Sequence, residues 1–142
     1  MESSDVEQAR ARHVRIAERL LAAVSAGDRG AQVACYHPDV VLEFPYADPP
    51  VRIEGRDAVD AYLKVALGIF ELRLTVTRVH DCVDPDTVIV EFTGEGRARP
   101  TDRAYANTYI VVLAFRDGLV VGQREFYNPV PAARALTATP AN

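Results

Sequence analysis

The chain opens on a helical period. Val14, Ala17, Leu20, Leu21 and Val24 recur three and four residues apart, which predicts an amphipathic helix from about Val6 to Ala26. Gly27 and Asp28 end it, and Asp28 is placed to cap a short second helix that runs to about Tyr36–His37–Pro38. Val40–Val41–Leu42–Glu43–Phe44 reads as a strand stopped by Pro45. Tyr46 to Val51 reads as a loop. A third helix is expected from about Arg56 to Leu67, with Ala58, Val59, Tyr62, Leu63 and Ala66 on its apolar side.

Beyond that point the period changes to two. Phe70–His80 alternates, Asp84–Pro85–Asp86 is a turn, and Thr87–Thr93 is a strand running into a bend or bulge at Gly94–Glu95–Gly96. Arg103–Arg116 and Leu119–Tyr127 are strands joined by Asp117–Gly118, a strong two-residue hairpin signal. The tail from about residue 130 reads as a cover for an edge or as frayed chain. The expectation is a single α+β domain over residues 1–142. A curved antiparallel sheet, four of its strands in a meander, wraps on three N-terminal helices and forms a cone with an internal pocket. The outer sheet face is left apolar with no chain to cover it, which points to a homodimer.

Composition narrows the function. The chain has 142 residues, 49% hydrophobic and 25% charged, with a net charge of −4, so it carries no basic footprint for nucleic acid. No run is long enough to span a membrane, and the start Met1–Asp5 is polar and acidic rather than a signal peptide, so a cytoplasmic protein is expected. Cys35 and Cys82 have no metal-type spacing, and His13, His37 and His80 are scattered. No phosphate-binding glycine loop or Gly-x-Ser-x-Gly elbow is present. No metal and no cofactor are expected.

The candidate chemistry lies on the last strand, Gln123–Arg124–Glu125–Phe126–Tyr127. A carboxylate on the inner face of a strand is costly unless it is paired or used. Counting back from the Asp117–Gly118 turn pairs Val112 with Gln123, Ile110 with Glu125 and Thr108 with Tyr127, so Gln123, Glu125, Tyr127, Thr108 and Ile110 share one face and Tyr105, Asn107, Tyr109 and Val111 the other. A one-residue slip inverts the assignment and makes the Tyr105–Tyr109 face the pocket. The structural alternative for Glu125 is a salt bridge to Arg97, Arg99 or Arg124 at a sheet edge or dimer rim.

These residues resemble a known family. The layout resembles the nuclear transport factor 2-like superfamily, with its ketosteroid isomerases, limonene epoxide hydrolases and SnoaL-like polyketide cyclases. Leu20 to Phe44, with Ser25–Ala26–Gly27–Asp28, looks like the opening of ketosteroid isomerase. The closer resemblance is to the phenazine-biosynthesis A/B proteins. It rests on Val90–Glu91–Phe92–Thr93–Gly94–Glu95–Gly96, Tyr105-x-Asn107, Arg124–Glu125–Phe126-x-Asn128 and Arg134–Ala135–Leu136. The ketosteroid isomerase tyrosine and its two aspartates would fall on Leu20, Phe44 and Thr108, so that apparatus is not retained. The phenazine-protein glutamate falls on Glu125, and their histidine and serine fall on Tyr62 and Ala66.

The resemblance implies an acid/base pocket, and pocket walls of Leu, Val, Ile, Phe and Ala suit a hydrophobic small-molecule substrate with a few oxygens. Glu125 would act as acid, base or hydrogen-bonding group, and Tyr62 would donate to a carbonyl or enolate oxygen. Tyr127, Thr108, Gln123, Ile110, Leu20, Phe44 and Ala66 would bind substrate, with Tyr46 and Asp48 at the mouth. The function expected is a cofactor-independent cyclase of a polyketide-like intermediate in antibiotic biosynthesis. The alternatives are an isomerase or phenazine-type condensation catalyst, an epoxide hydrolase using an Asp–Arg–Asp arrangement, and a non-catalytic binding dimer.

Overall fold

A computed structural model describes residues 3–137. Helix α1 (Ser3–Ala26) is followed by α2 (Arg29–Val33), strands β1 (Tyr36–Phe44) and β2 (Val51–Glu54), and helix α3 (Arg56–Ile69). Strands β3 (Phe70–Asp81), β4 (Thr87–Ala98), β5 (Arg103–Arg116) and β6 (Leu119–Tyr127) come next, then helix α4 (Pro129–Leu136). Among the described residues no helix is long and apolar enough to cross a membrane.

All six strands form one sheet in the order β2-β1-β6-β5-β4-β3. The last four make the expected antiparallel meander. The sheet is mixed rather than wholly antiparallel, because β1 joins β6 in parallel. This join places β6, the strand carrying Glu125, between β1 and β5.

Local chemistry explains the boundaries. α1 closes in a Schellman motif: Gly27, at φ +67°, donates to the Val24 carbonyl and Asp28 donates to the Ala23 carbonyl. The Asp28 carboxylate accepts from the Ala31 amide and starts α2. α2 stops at Val33, earlier than expected, because the Val120 amide donates to the Cys35 carbonyl and draws Tyr36 into the sheet. Pro38 is tolerated in β1 because pairing with β6 lapses between Tyr36 and Val41. The expected loop ends in β2, which pairs back onto β1.

Of the expected bend or bulge at Gly94–Gly96, no bulge forms: β4 keeps its register with β3 and β5 there and continues to Ala98. Those glycines answer close approach instead. A Cβ on Gly96 would lie 1.8 Å from the Glu71 carbonyl oxygen, and one on Gly94 would lie 3.0 Å from both Leu74 and Tyr109. The tail after Asn128 is helical as far as Leu136, with the Asn128 side chain accepting from the Val130 amide.

The core lies between the helices and the inner sheet face. Leu20 and Ala17 on α1, Val59 on α3, Leu42 on β1, and Val90 and Phe92 on β4 are all essentially inaccessible. On the opposite face of the sheet Ala104, Ala106, Thr108 and Ile110 are exposed. The outward positions of β5 from Ala104 to Ala114 carry no charged side chain.

Candidate functional site

The expected pairing of β5 with β6 fails by one residue, and a bulge is the reason. Arg116 pairs with Leu119 and Phe115 with Val120, but Ala114 then pairs with Gly122, leaving Val121 as the extra residue. From there the partners are Leu113 with Gln123, Val111 with Glu125 and Tyr109 with Tyr127. The two inner faces proposed as alternatives from sequence therefore combine. Gln123, Glu125 and Tyr127 face inward together with Tyr105, Tyr109 and Val111.

This corrects two site residues. Thr108 and Ile110 lie on the outer face, exposed, with Ile110 opposite Phe126. Tyr46 is also outside the pocket, 61% exposed and edge-on to Phe126 at 5.2 Å. The remaining expected residues, Glu125, Tyr62, Tyr127, Gln123, Leu20, Phe44 and Ala66, all line one internal cavity of about 180 Å³. The Glu125 salt bridges considered from sequence do not form. Arg97 and Arg99 pair with Glu71, and Arg124 lies over the Phe126 ring.

Helices α1 and α3 roof the cavity with Leu20, Leu21, Tyr62 and Leu63, and Ala132 of α4 flanks it. Aromatic rings form a continuous belt around it. Phe44 lies 5.9 Å from Tyr62 and 6.0 Å from Tyr127, Tyr127 lies 6.0 Å from Tyr109, and Tyr109 stacks on Phe92 at 4.8 Å. The Tyr105 and Tyr109 hydroxyls share a hydrogen bond of 2.7 Å. The Asn107 amide donates both to Tyr105 and to the carbonyl of Asn128, the α4 cap residue.

Glu125 is the one charged side chain among the described residues of the lining. Burial pushes its carboxyl up to about 7, opposed by donation from the Gln123 amide at a long 3.5 Å. Gln123 is itself held: the Tyr36 hydroxyl donates to its oxygen at 2.6 Å, and the Gln32 amide donates to Tyr36 at 3.1 Å. Tyr62 and Tyr127 are raised chiefly by burial, with the Glu125 charge adding to both. Phenols so placed stay protonated and donate. A group titrating near neutral pH beside neutral donors can exchange a proton with a bound molecule and stabilise a developing oxyanion.

Sequence reasoning missed Gln32 and Tyr36. Tyr36 stood at an expected helix end, and Gln32 carried only the polarity usual for a solvated face; neither gave a signal of burial. Tyr105 and Tyr109 entered as the alternative face, and only the bulge at Val121 joins them to Glu125.

The cavity sits in a chain whose residues 17–123 match the SnoaL-like domain. The chain belongs to this family, within the nuclear transport factor 2-like fold. It is 38% identical over 112 residues, 78% of this chain and 79% of the relative, to an uncharacterized PhzA/B-like protein of Pseudomonas aeruginosa. A Bacillus subtilis structure described as a candidate isomerase superposes with a TM-score of 0.84 at 30% identity, over 91% of this chain and 95% of that one. A phenazine biosynthesis-related protein of Pseudomonas aeruginosa superposes at 0.83 with 20% identity, over 99% and 95%.

Proposed function

We propose that this protein is a cofactor-independent cyclase or isomerase of an uncharged, hydrophobic small molecule, with Glu125 as its proton-transfer group. The observation that carries this reading is the carboxyl, raised to about 7, inside an aromatic cavity whose described lining residues include no cation to pair with it. Tyr62 and Tyr127 would donate to a substrate oxygen, and Leu20, Phe44 and Ala66 would shape the chain of the substrate. Enclosure restricts conformers, and bringing two reacting ends together supplies several kcal/mol towards ring closure, on the order of 7–11 at best. The substrate class favoured is a polyketide-like intermediate of antibiotic biosynthesis, on the strength of the family. Membership of the SnoaL-like family supports the enzyme class.

Isomerisation uses the same carboxyl to remove and return one proton, and the description of the Bacillus subtilis relative supports it as the second reading. Phenazine-type condensation is less favoured, because Tyr62 and Ala66 replace the histidine and serine expected there. Epoxide hydrolysis by an Asp–Arg–Asp arrangement finds no support: Asp60 pairs with Arg29 at 2.9 Å, Arg97 pairs with Glu71 and Asp102, and none of them lines the cavity. The uncharged outer face of β5, with Ile110 exposed, supports a homodimer through the sheet.

The test is metabolite profiling of the producing strain carrying Glu125→Gln. An accumulated uncyclised or unrearranged compound, with the variant protein folded, supports the reading. An unchanged profile sinks Glu125 as the acid or base.

A further inference from the structure

We propose that Gln32, Tyr36, Gln123 and Glu125 form one hydrogen-bond chain that reverses its direction when Glu125 takes up a proton, which makes Gln32 and Tyr36 positioning residues for the site carboxyl. The inference concerns the free protein and stands whatever the substrate.

The chain starts in α2, crosses to β1 and ends on β6. Gln32 and Tyr36 are 2% and 0% exposed, and Gln123 is 6% exposed, so bulk water does not compete for these bonds. In the structure every donor points towards Glu125. The Gln32 amide donates to the Tyr36 oxygen, the Tyr36 hydroxyl donates to Gln123 Oε1, and Gln123 Nε2 donates to Glu125 Oε1. This direction suits an ionised carboxylate, which can only accept. It leaves Gln32 Oε1 buried with no partner among the described residues.

A protonated Glu125 is a donor, and the Gln123 amide nitrogen facing it is a donor too. Rotating the Gln123 amide by half a turn presents its oxygen to the new carboxyl proton. Its nitrogen then faces Tyr36, whose single hydroxyl hydrogen must find another acceptor. The acceptor in reach is the Gln32 oxygen, presented by the same rotation at Gln32. Amide rotation exchanges oxygen and nitrogen with no change of shape, so the packed surroundings admit both states. No bond other than the Glu125 O–H forms, and that proton comes from solvent or from a bound molecule.

The groups facing Glu125 do not compete in the neutral range. They are Tyr62 from α3, Tyr36 from β1 with Cys35 beside it, Tyr105 and Tyr109 from β5, and Tyr127 from β6; burial raises each of them above its ordinary value. The lining residues of α1 and α2 bring no titratable group.

The chain is tested by NMR on the full-length labelled protein. The side-chain amide signals of Gln32 and Gln123 are followed with pH, alongside the Glu125 carboxyl carbon. Both amides are expected to shift with the midpoint of Glu125. Gln32→Leu removes the acceptor that the protonated state needs, so it should lower the Glu125 midpoint by about one pH unit, the worth of one stranded hydroxyl. In a Tyr36→Phe background the same substitution should leave the midpoint unmoved. Amide signals of Gln32 that ignore the Glu125 titration in the wild-type protein overturn the proposal. So does a Gln32→Leu protein that folds and keeps the wild-type midpoint, or an effect that persists without the Tyr36 hydroxyl. The wild-type titration decides the matter even where a variant does not fold.

Discussion

Glu125 should make the folded protein less stable at alkaline pH, and Glu125→Gln should remove that loss. An ordinary carboxyl titrates at 4.5, whereas Glu125 is held at about 7 by burial. At roughly 1.36 kcal/mol per pH unit, keeping it ionised in the cavity costs about 3 kcal/mol relative to the unfolded chain. The sign follows from proton binding. Between the two values the folded state holds a proton that the unfolded state has released, so the contribution of Glu125 to stability is greatest below pH 4.5 and is lost as pH rises through about 7. The glutamine variant carries no such dependence. Its advantage over wild type should therefore grow by about 2.5 kcal/mol between pH 5 and pH 8. Urea unfolding of both proteins at the two pH values reads this directly, because all other titrating groups cancel in the difference. With a slope of roughly 1–3 kcal/mol per molar, the midpoint gap should widen by about 1–2 M. A gap that is the same at pH 5 and pH 8 would show that Glu125 ionises as it does in water and would refute the cavity argument.

Other consequences can be checked separately. Gly96→Ala drives a Cβ to 1.8 Å from the Glu71 carbonyl, and the strands must part; a loss of about 3 kcal/mol is expected in thermal unfolding, and a melting curve like that of wild type would contradict the β3–β4 packing. Ile110→Glu places a charge on the uncharged outer face of β5. Light scattering should report a dimer for wild type and a monomer for the variant, while a monomeric wild type removes the dimer from the account. Among the described residues the cavity lining has a carboxylate and no cation to offset a second one. A neutral naphthol should therefore bind at pH 8 roughly tenfold or more tightly than a naphthoate of the same size, and equal binding by calorimetry would contradict an uncharged substrate.

Much of the architecture was legible in the chain because the hydrophobic period is strong and its punctuation is explicit. The Schellman stop at Gly27, the Asp28 cap and the Asp117–Gly118 hairpin each have a sequence signature with a single structural consequence. Glu125 was legible for a similar reason: a carboxylate in an inward-facing register stands out. The register beside it was not legible. The bulge at Val121 arises beside Gly122, a residue that weakens a strand and often marks a bulge, but nothing local says which neighbour is extra. That one residue decided whether Tyr109 or Thr108 faces the cavity. The parallel join of β1 to β6 is a long-range pairing, so local pattern could not show that Tyr36 reaches Gln123. Gln32 was hidden for a related reason, since its burial depends on how α2 is pinned by its neighbours rather than on any local period.

The most direct measurement uses purified protein and an extract of a strain from which the gene has been deleted. Consumption of the accumulated compound is followed from pH 5 to pH 9 with wild type and with Glu125→Gln. The account predicts turnover by wild type without added cofactor, a rate profile that bends near pH 7, and a loss of roughly a hundredfold or more in the variant. Turnover by the variant within a few-fold of wild type, or a profile flat across that range, would contradict proton transfer by Glu125.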